Sequence, residues 1–369
     1  MRFSDFVTLQ RGFDLTKTEV RDGPYSVIGS TSIIGRHDEF KVKPPGVTTG
    51  RSGSLGVVQF VSENYWPHNT SLWVKDFKGN DPKFVYYCMQ GLDFARFNAG
   101  AGVPTLNRNH LGSLEVEVPA LDVQIRIAGI LSAYDELIEN SQRRIKILKA
   151  MARSLYREWF VHVRFPGHDQ PAAPVGTAEG GPEGVSVRQV ANQNHPRVAS
   201  ALGEIPQGWE VKRVTDAIYV NPRVVVSREG EKPFVPMSCL SNDSKLITDV
   251  ESRTGNSGTK FQNGDTLFAR ITPCLENGKT GYVQFLPDSA AVAFGSTEYI
   301  VLRSHTLTPE FVYCMSRSDE FRGIAIKSMS GATGRQRVQE KCFDDFLIAQ
   351  APKSLLDQFA AIVRLKFLL

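Results

Sequence analysis

LDVQIRIAGILSAYDELIENSQRRIKILKAMARSLYREWF, residues 121–160, decides how this chain is built. It holds no proline and a single glycine, Gly129, so nothing in it forces an α-helix to break. Ile127, Tyr134, Ser141, Leu148 and Leu155 recur every seven residues. Leu131, Ile138, Ile145, Ala152 and Trp159 form a second stripe four positions on. A seven-residue spacing held this long predicts a coiled-coil seam, because a straight surface helix follows a 3.6-residue period. About 38 residues at 1.5 Å each make a rod of roughly 57 Å. The alternative is a long helix lying along one domain.

On either side of this helix the chain repeats itself. GVVQF at 56–60 resembles GYVQF at 281–285, and FVYYCM at 84–89 resembles FVYCM at 311–315. VPALDVQIRIAGI at 118–130 resembles APKSLLDQFAAIV at 351–363, with Gln124 set against Gln358. Three matches in the same order point to an internal duplication. Each copy begins with short apolar runs between turn residues, such as YSVIGS (25–30), SLWV (71–74), YVQFL (282–286) and EYIVL (298–302). These read as strands. Helices are predicted around 82–96 and 309–322, each opened by a capping residue and proline, Asp81-Pro82 and Thr308-Pro309. Between the copies, QPAAPVGTAEGGPEGVSVRQVANQNHPRVAS is rich in Pro, Gly and Ala and reads as a linker. The expected order is a mixed domain over 1–120, a central helix over 121–162, a linker over 163–204, a second mixed domain over 205–352 and a second helix over 353–369. That last helix is short beside the first.

Composition narrows the function. A chain of 369 residues with 41% hydrophobic content is long enough for two cored domains. No apolar run approaches the roughly 20 residues that span a bilayer. The start, MRFSDFVTLQRG, lacks a signal-peptide pattern, so the expected location is cytoplasmic. The five cysteines are scattered, with no CxxC, and are expected as reduced structural thiols. The net charge of +4 arises in residues 123–168, which hold 8 Lys+Arg against 4 Asp+Glu. A large nonspecific basic field is therefore not what the chain offers; any nucleic-acid contact must come through local cationic loops.

Catalytic signatures are missing. There is no phosphate loop, no HExxH and no Gly-rich dinucleotide turn. The seven histidines lack metal-ligand spacing. Asn221-Pro222-Arg223 shares two residues with the NPP-type motif of amino-methyltransferases but lacks the second proline and the aromatic. Loops that read bases need Arg, Lys, Asn, Gln, Ser and Thr at their tips. The first copy offers Thr49, Arg51, Ser52 and Ser54, then Asn107, Arg108 and Asn109. The second offers Arg270, Thr272, Asn277 and Lys279 in GDTLFARITPCLENGK (264–279), then Lys327, Thr333, Arg335, Gln336 and Arg337. Taken singly, each loop reads more readily as a solvated turn; four of them at equivalent positions in a duplicated chain shift the balance toward base reading. Lys75, Lys78, Lys245 and Lys260 read as ordinary surface lysines.

GDTLFARITPCLENGK together with GSTEY (295–299), SGATGRQRV (330–338), IPQGWE (205–210), YSVIGSTSIIGRHDEF (25–40) and the 124–160 helix resembles the specificity subunit of type I restriction-modification systems. The resemblance implies an α+β chain of two pseudo-repeated target recognition domains joined by a long coiled-coil helix, with a second, distal helix. It implies a non-catalytic subunit, each domain reading one half of a split sequence in double-stranded DNA. Methyltransferase subunits would dock on the helices and restriction subunits would join them. S-adenosylmethionine, ATP and Mg would belong to those partners, leaving this chain without cofactor or metal. Ile127, Leu131, Tyr134, Ile138, Ile145, Leu148, Leu155 and Trp159 would serve helix pairing and partner docking, and the short distal helix adds self-association as an expectation. Two other readings stay open. One is the DNA-recognition part of a related fused or orphan methyltransferase system. The other is a helix-mediated protein scaffold without nucleic acid.

Overall fold

The computed structural model describes residues 1–16, 18–98, 103–167 and 197–367. They fall into two compact units, Met1–Gln142 and Arg143–Leu369. Most of the expected linker, 168–196, lies outside the described residues. Regular structure resumes at Arg197, earlier than the expected 205, because Arg197–Ser200 (β8) pairs antiparallel with Gly203–Pro206 (β9). No described helix is long and apolar enough to cross a membrane.

The first unit opens with a one-turn helix, α1 (Phe3–Phe6), whose two phenylalanines are buried. Seven strands follow: β1 (Thr8–Arg11), β2 (Tyr25–Ile28), β3 (Ile33–His37), β4 (Gly46–Gly50), β5 (Val58–Val61), β6 (Tyr65–Pro67) and β7 (Ser71–Asp76). They make an antiparallel sheet in the order β1-β7-β4-β5 and a smaller one in the order β3-β2-β6. The helix α2 (Pro82–Gln90) starts where expected, with the Asp81 carboxylate accepting the Phe84 N–H at 2.8 Å. A short α3 (Arg108–Gly112) closes the domain, and Phe3, Phe6, Val47, Leu72, Val85, Met89 and Leu111 form its core.

The long helix α4 (Leu121–Tyr156) is present as read and ends in a π-helical turn, Arg157–Val161. Its first turn is locked to the first unit through Gln124, which is 3% exposed. The Gln124 amide accepts from the Asp81 N–H at 3.0 Å and donates to the Asn80 carbonyl oxygen Oδ1 at 2.8 Å. Farther on, the Tyr87 hydroxyl donates to Asp135 at 2.7 Å. Ala128 is buried and Ile127 packs beside it, but Leu131, Tyr134 and Ile138 are 38%, 62% and 54% exposed. Within the described residues the middle of the heptad stripe is therefore an uncovered apolar face. In the second unit the stripe goes under again: Ala152 and Trp159 are buried beside Tyr156, and Leu155 packs against them.

The second unit continues through β10 (Glu210–Arg213), α5 (Val214–Ala217), β11 (Ile218–Val220), β12 (Glu231–Val235), β13 (Glu251–Thr254), β14 (Thr259–Phe261), β15 (Thr266–Ala269), β16 (Thr280–Tyr282), β17 (Ala293–Gly295) and β18 (Tyr299–Ser304). The helices α6 (Pro309–Ser316) and α7 (Asp319–Lys327), strand β19 (Leu347–Gln350) and α8 (Lys353–Phe367) complete it. The single helix expected over 309–322 is two, because the Ser318 hydroxyl accepts the Phe321 N–H and starts a new helix. The aromatic rings of Tyr156, Trp159, Phe160, Phe311 and Phe359 meet with centroid separations from 4.7 to 6.4 Å. This cluster joins the end of α4 to α6 and α8. Asn221, the start of the NPR triplet, is structural: at φ 50° it ends β11, and its side chain accepts the Val301 N–H at 2.9 Å.

The duplication is visible as equivalent hydrogen bonds. The sheet order β11-β18-β15-β16 repeats β1-β7-β4-β5, and β12, between antiparallel β13 and parallel β17, repeats β2 between β3 and β6. The Arg51 N–H donates to the Thr70 carbonyl and its own carbonyl accepts from Leu106. Arg270 does the same with Glu298 and Val338. Thr49 pairs with Val58 as Phe268 pairs with Thr280, so β5 and β16 align three residues away from the GVVQF/GYVQF match. Likewise Gln124 aligns with Leu356, not Gln358, since their N–H groups bond back to Ala120 and Pro352. Local likeness misplaced the register; strand pairing sets it.

Candidate nucleic-acid interface

In the first unit the two predicted loops come together. Beyond the Arg51–Leu106 bond, the Gly53 N–H donates to the Pro104 carbonyl at 2.9 Å, and Ser52 bridges to Thr105. Ser30 closes the loop from below, its hydroxyl donating to the carbonyls of Ser52 (2.7 Å) and Thr70 (2.9 Å). A side chain at Gly50 would collide with the Ser54 carbonyl, so the turn needs a glycine there. Arg51 is half-buried and its Nη1 donates to the Asn69 carbonyl at 3.4 Å. Thr49 is 0% exposed, which corrects its reading as a tip residue: it sits on a strand whose five positions are all buried. Asn107 is occupied as the cap of α3, accepting the Asn109 N–H at 3.0 Å. Ser54, Arg108 and Asn109 are exposed.

In the second unit the stretch that offered Arg270, Thr272, Asn277 and Lys279 as loop-tip residues is stapled inward. Leu275 is fully buried, and Arg322 donates to the Leu275 and Glu276 carbonyls at 2.8 and 3.1 Å. The Lys279 ammonium donates to the carbonyls of Met237 (3.0 Å) and Leu240 (2.8 Å), so it clamps a turn and does not project from the tip. Thr272 is also structural, tied to Gln336 by its N–H and, at 3.0 Å, by its hydroxyl accepting the Gln336 N–H. These bonds do bring the 270–272 and 335–338 segments side by side. Arg270 pairs with Glu340 at 2.9 Å, and Arg337 grips Glu298 through Nε and Nη2 at 2.6 to 3.0 Å. Asn277, Lys327, Thr333 and Arg335 are exposed. Carboxylate-held arginines are fixed in direction, which suits them to present a planar donor edge.

One lysine set aside as ordinary is not. Lys245 is half-buried, and that burial lowers its pKa from 10.5 to about 8. Its ammonium donates to Gln284 at 2.8 Å. The folded value lies below the unfolded one, so the unfolded chain binds more protons between about pH 8 and 10.5. Stability therefore rises with pH across that window. Lys245→Met is expected to be more stable than the parent at pH 7, with the gap closing as pH passes through 8 toward 10.5. Melting curves of both proteins across this range check it; a constant gap would contradict the assignment.

The matching architecture of the two units, with arginine-led loops held by the same backbone bonds, has counterparts among known proteins. Residues 1–150 match the family model of the type I restriction modification DNA specificity domain. The chain is similar to type I restriction enzyme specificity subunits. It is 31% identical over 160 residues to the EcoEI specificity subunit of Escherichia coli, covering 41% of this chain and 26% of that protein. It is 28% identical over 254 residues to the MjaIX specificity subunit of Methanocaldococcus jannaschii, covering 64% of this chain and 51% of that one. The matches thus span between a quarter and half of these relatives' own length. The fold is shared with the S subunit of the type I restriction-modification system of M. genitalium, with a TM-score of 0.64 at 16% identity, covering 100% of this chain and 88% of that one. The α+β architecture read from the sequence agrees with that likeness. Among the described residues no group of three or more His, Cys, Asp and Glu side chains could hold a metal ion.

Proposed function

We propose that this chain is the DNA sequence-recognition subunit of a type I restriction-modification complex, each unit reading one half of a two-part target. The observation that carries this is the paired anchoring of Arg51 and Arg270 on duplicated sheets, in a chain whose first 150 residues match a DNA specificity domain. The chain performs no chemistry itself in this reading. It aims adenine methylation and cleavage carried out by methyltransferase and restriction subunits, which supply S-adenosylmethionine, ATP and Mg. The uncovered stripe on α4, including Leu131, Tyr134 and Ile138, supports helix-mediated docking of such protein partners.

Arg335 is the cleanest probe, being exposed and outside the ion pairs that hold Arg270 and Arg337. Arg335→Ala is expected to lose about 1–3 kcal/mol of base discrimination in one half-site only. Mapping methylated adenines genome-wide, with parent or variant chain beside the cognate methyltransferase, measures it. No two-part motif with the parent chain, or equal loss in both halves with the variant, counts against the reading.

A further inference from the structure

We propose that Arg253 reads a base edge for the second unit, a specificity-determining residue on a strand and not on any of the loops above. This rests on the reading of the chain as a DNA-recognition protein. Arg253 lies on β13, all four residues of which are exposed. Its guanidinium carbon sits 3.8 Å from the ring centroid of Phe234 on the neighbouring strand β12. Its Nε and Nη2 donate to Glu251 Oε2 at 2.9 and 2.7 Å. Stacking fixes the plane of the group, and the carboxylate fixes its direction within that plane. Ordering the side chain before binding removes an entropy cost from binding itself.

These contacts use the Nε side of the guanidinium. Nη1 has no hydrogen-bond partner among the described residues, so the outer edge, formed by Nη1 and the second Nη2 hydrogen, is available. Two parallel donors in one plane are what guanine O6 and N7 accept. Phosphate is the weaker alternative: with Glu251 bound the pair is close to neutral, and phosphate affinity comes from net charge and counterion release. Arg253 also lines an open groove with Arg228, Asn256, Phe294 and Thr297. Its floor is low because Gly258, at φ +104°, lies against the Gly295 carbonyl where any side chain would collide. Thr297 leads directly into Glu298, which holds Arg337 by the same Nε and Nη2 edge. The second unit thus carries two arginines buttressed alike, one on the wall of the groove and one tied to the residue that follows it.

The test uses the full chain assembled with cognate methyltransferase subunits on a library of randomised duplexes. Parent, Arg253→Ala and Arg253→Lys are compared for methylation preference and for binding at several salt concentrations. Both variants are expected to lose about 10- to 100-fold of discrimination at a single base position in one half-site, with the salt slope unchanged. Lysine does not rescue, since it offers a point charge in place of a fork. Uniform weakening across all sequences with the salt slope reduced by about one would mean a phosphate contact and overturn the proposal. An unaltered preference, or a lysine variant equal to the parent, would also overturn it. Failure of the parent to select any two-part sequence removes the DNA-recognition reading, and this inference falls with it.

Discussion

Phe359→Ala is expected to destabilise the second unit by about 3–5 kcal/mol, as for other large buried aromatics cut back to a methyl group. Phe359 is fully buried. Its ring lies 5.0 Å from Phe160, 6.0 Å from Trp159, 6.3 Å from Phe311 and 6.4 Å from Tyr156. From α8 it touches the end of α4 and α6 together, so its loss opens a cavity where three helices meet. The remaining rings are stiff, and none can swing in to fill the space without breaking its own contacts. Ile130→Ala and Leu137→Ala, at 60% and 61% exposure on the same long helix, are expected to stay within about 0.5 kcal/mol. Urea unfolding of the full chain, followed by tryptophan fluorescence, ranks the three. Equal effects at all three positions would show that the face of the helix bearing Ile130 and Leu137 is covered in solution or that the aromatic cluster is not a core.

Asp265 is the second position with a large expected effect. It is 1% exposed, and Arg303 donates to it through Nε at 2.7 Å and Nη2 at 2.6 Å. The Gln262 N–H adds a third donor at 2.8 Å. Asp265→Ala leaves a guanidinium and an N–H aimed at an apolar hole, which is expected to cost roughly 2–4 kcal/mol. The cost is below that of a wholly buried pair because the Arg303 side chain keeps 25% of its exposure and can recruit water. Removing both partners, as Asp265→Leu with Arg303→Leu, is expected to cost less than Asp265→Ala alone, since no unpaired charge is left. A double variant less stable than the single one would contradict this account.

Much of the architecture was readable from residue spacing because it follows from short-range chemistry. The absence of proline and the heptad stripe announced α4, and Asp81-Pro82 and Thr308-Pro309 marked the starts of α2 and α6. What spacing could not show was which side of the stripe is covered, for that depends on residues distant in the chain: Gln124 and Ala128 go inward while Tyr134 does not. Register in the repeat failed for the same reason, since Val61 and Val283 are matched through their partners Gly46 and Asp265 and not through their neighbours. At the loops, residue type was a weak guide. Lys279 and Thr272 have the chemistry of base readers but spend it on backbone carbonyls and a neighbouring segment. Arg253 was missed because Phe234 is 19 positions away and becomes its neighbour only when β12 and β13 pair. A faint signal was present: Glu251 and Arg253 alternate on one face of a strand.

Arg51 is held to Leu106, and Arg270 to Val338, by a hydrogen bond between main-chain atoms, to which the Arg270 side chain adds one from Nη2 to the Val338 carbonyl at 3.3 Å. Any side chain other than proline at the arginine positions would keep the main-chain bonds, though not the side-chain contacts of Arg270. The main-chain part of the clasp is thus indifferent to these side chains, so under the proposed function a lineage could try new DNA preferences by point substitution while its scaffold stays intact.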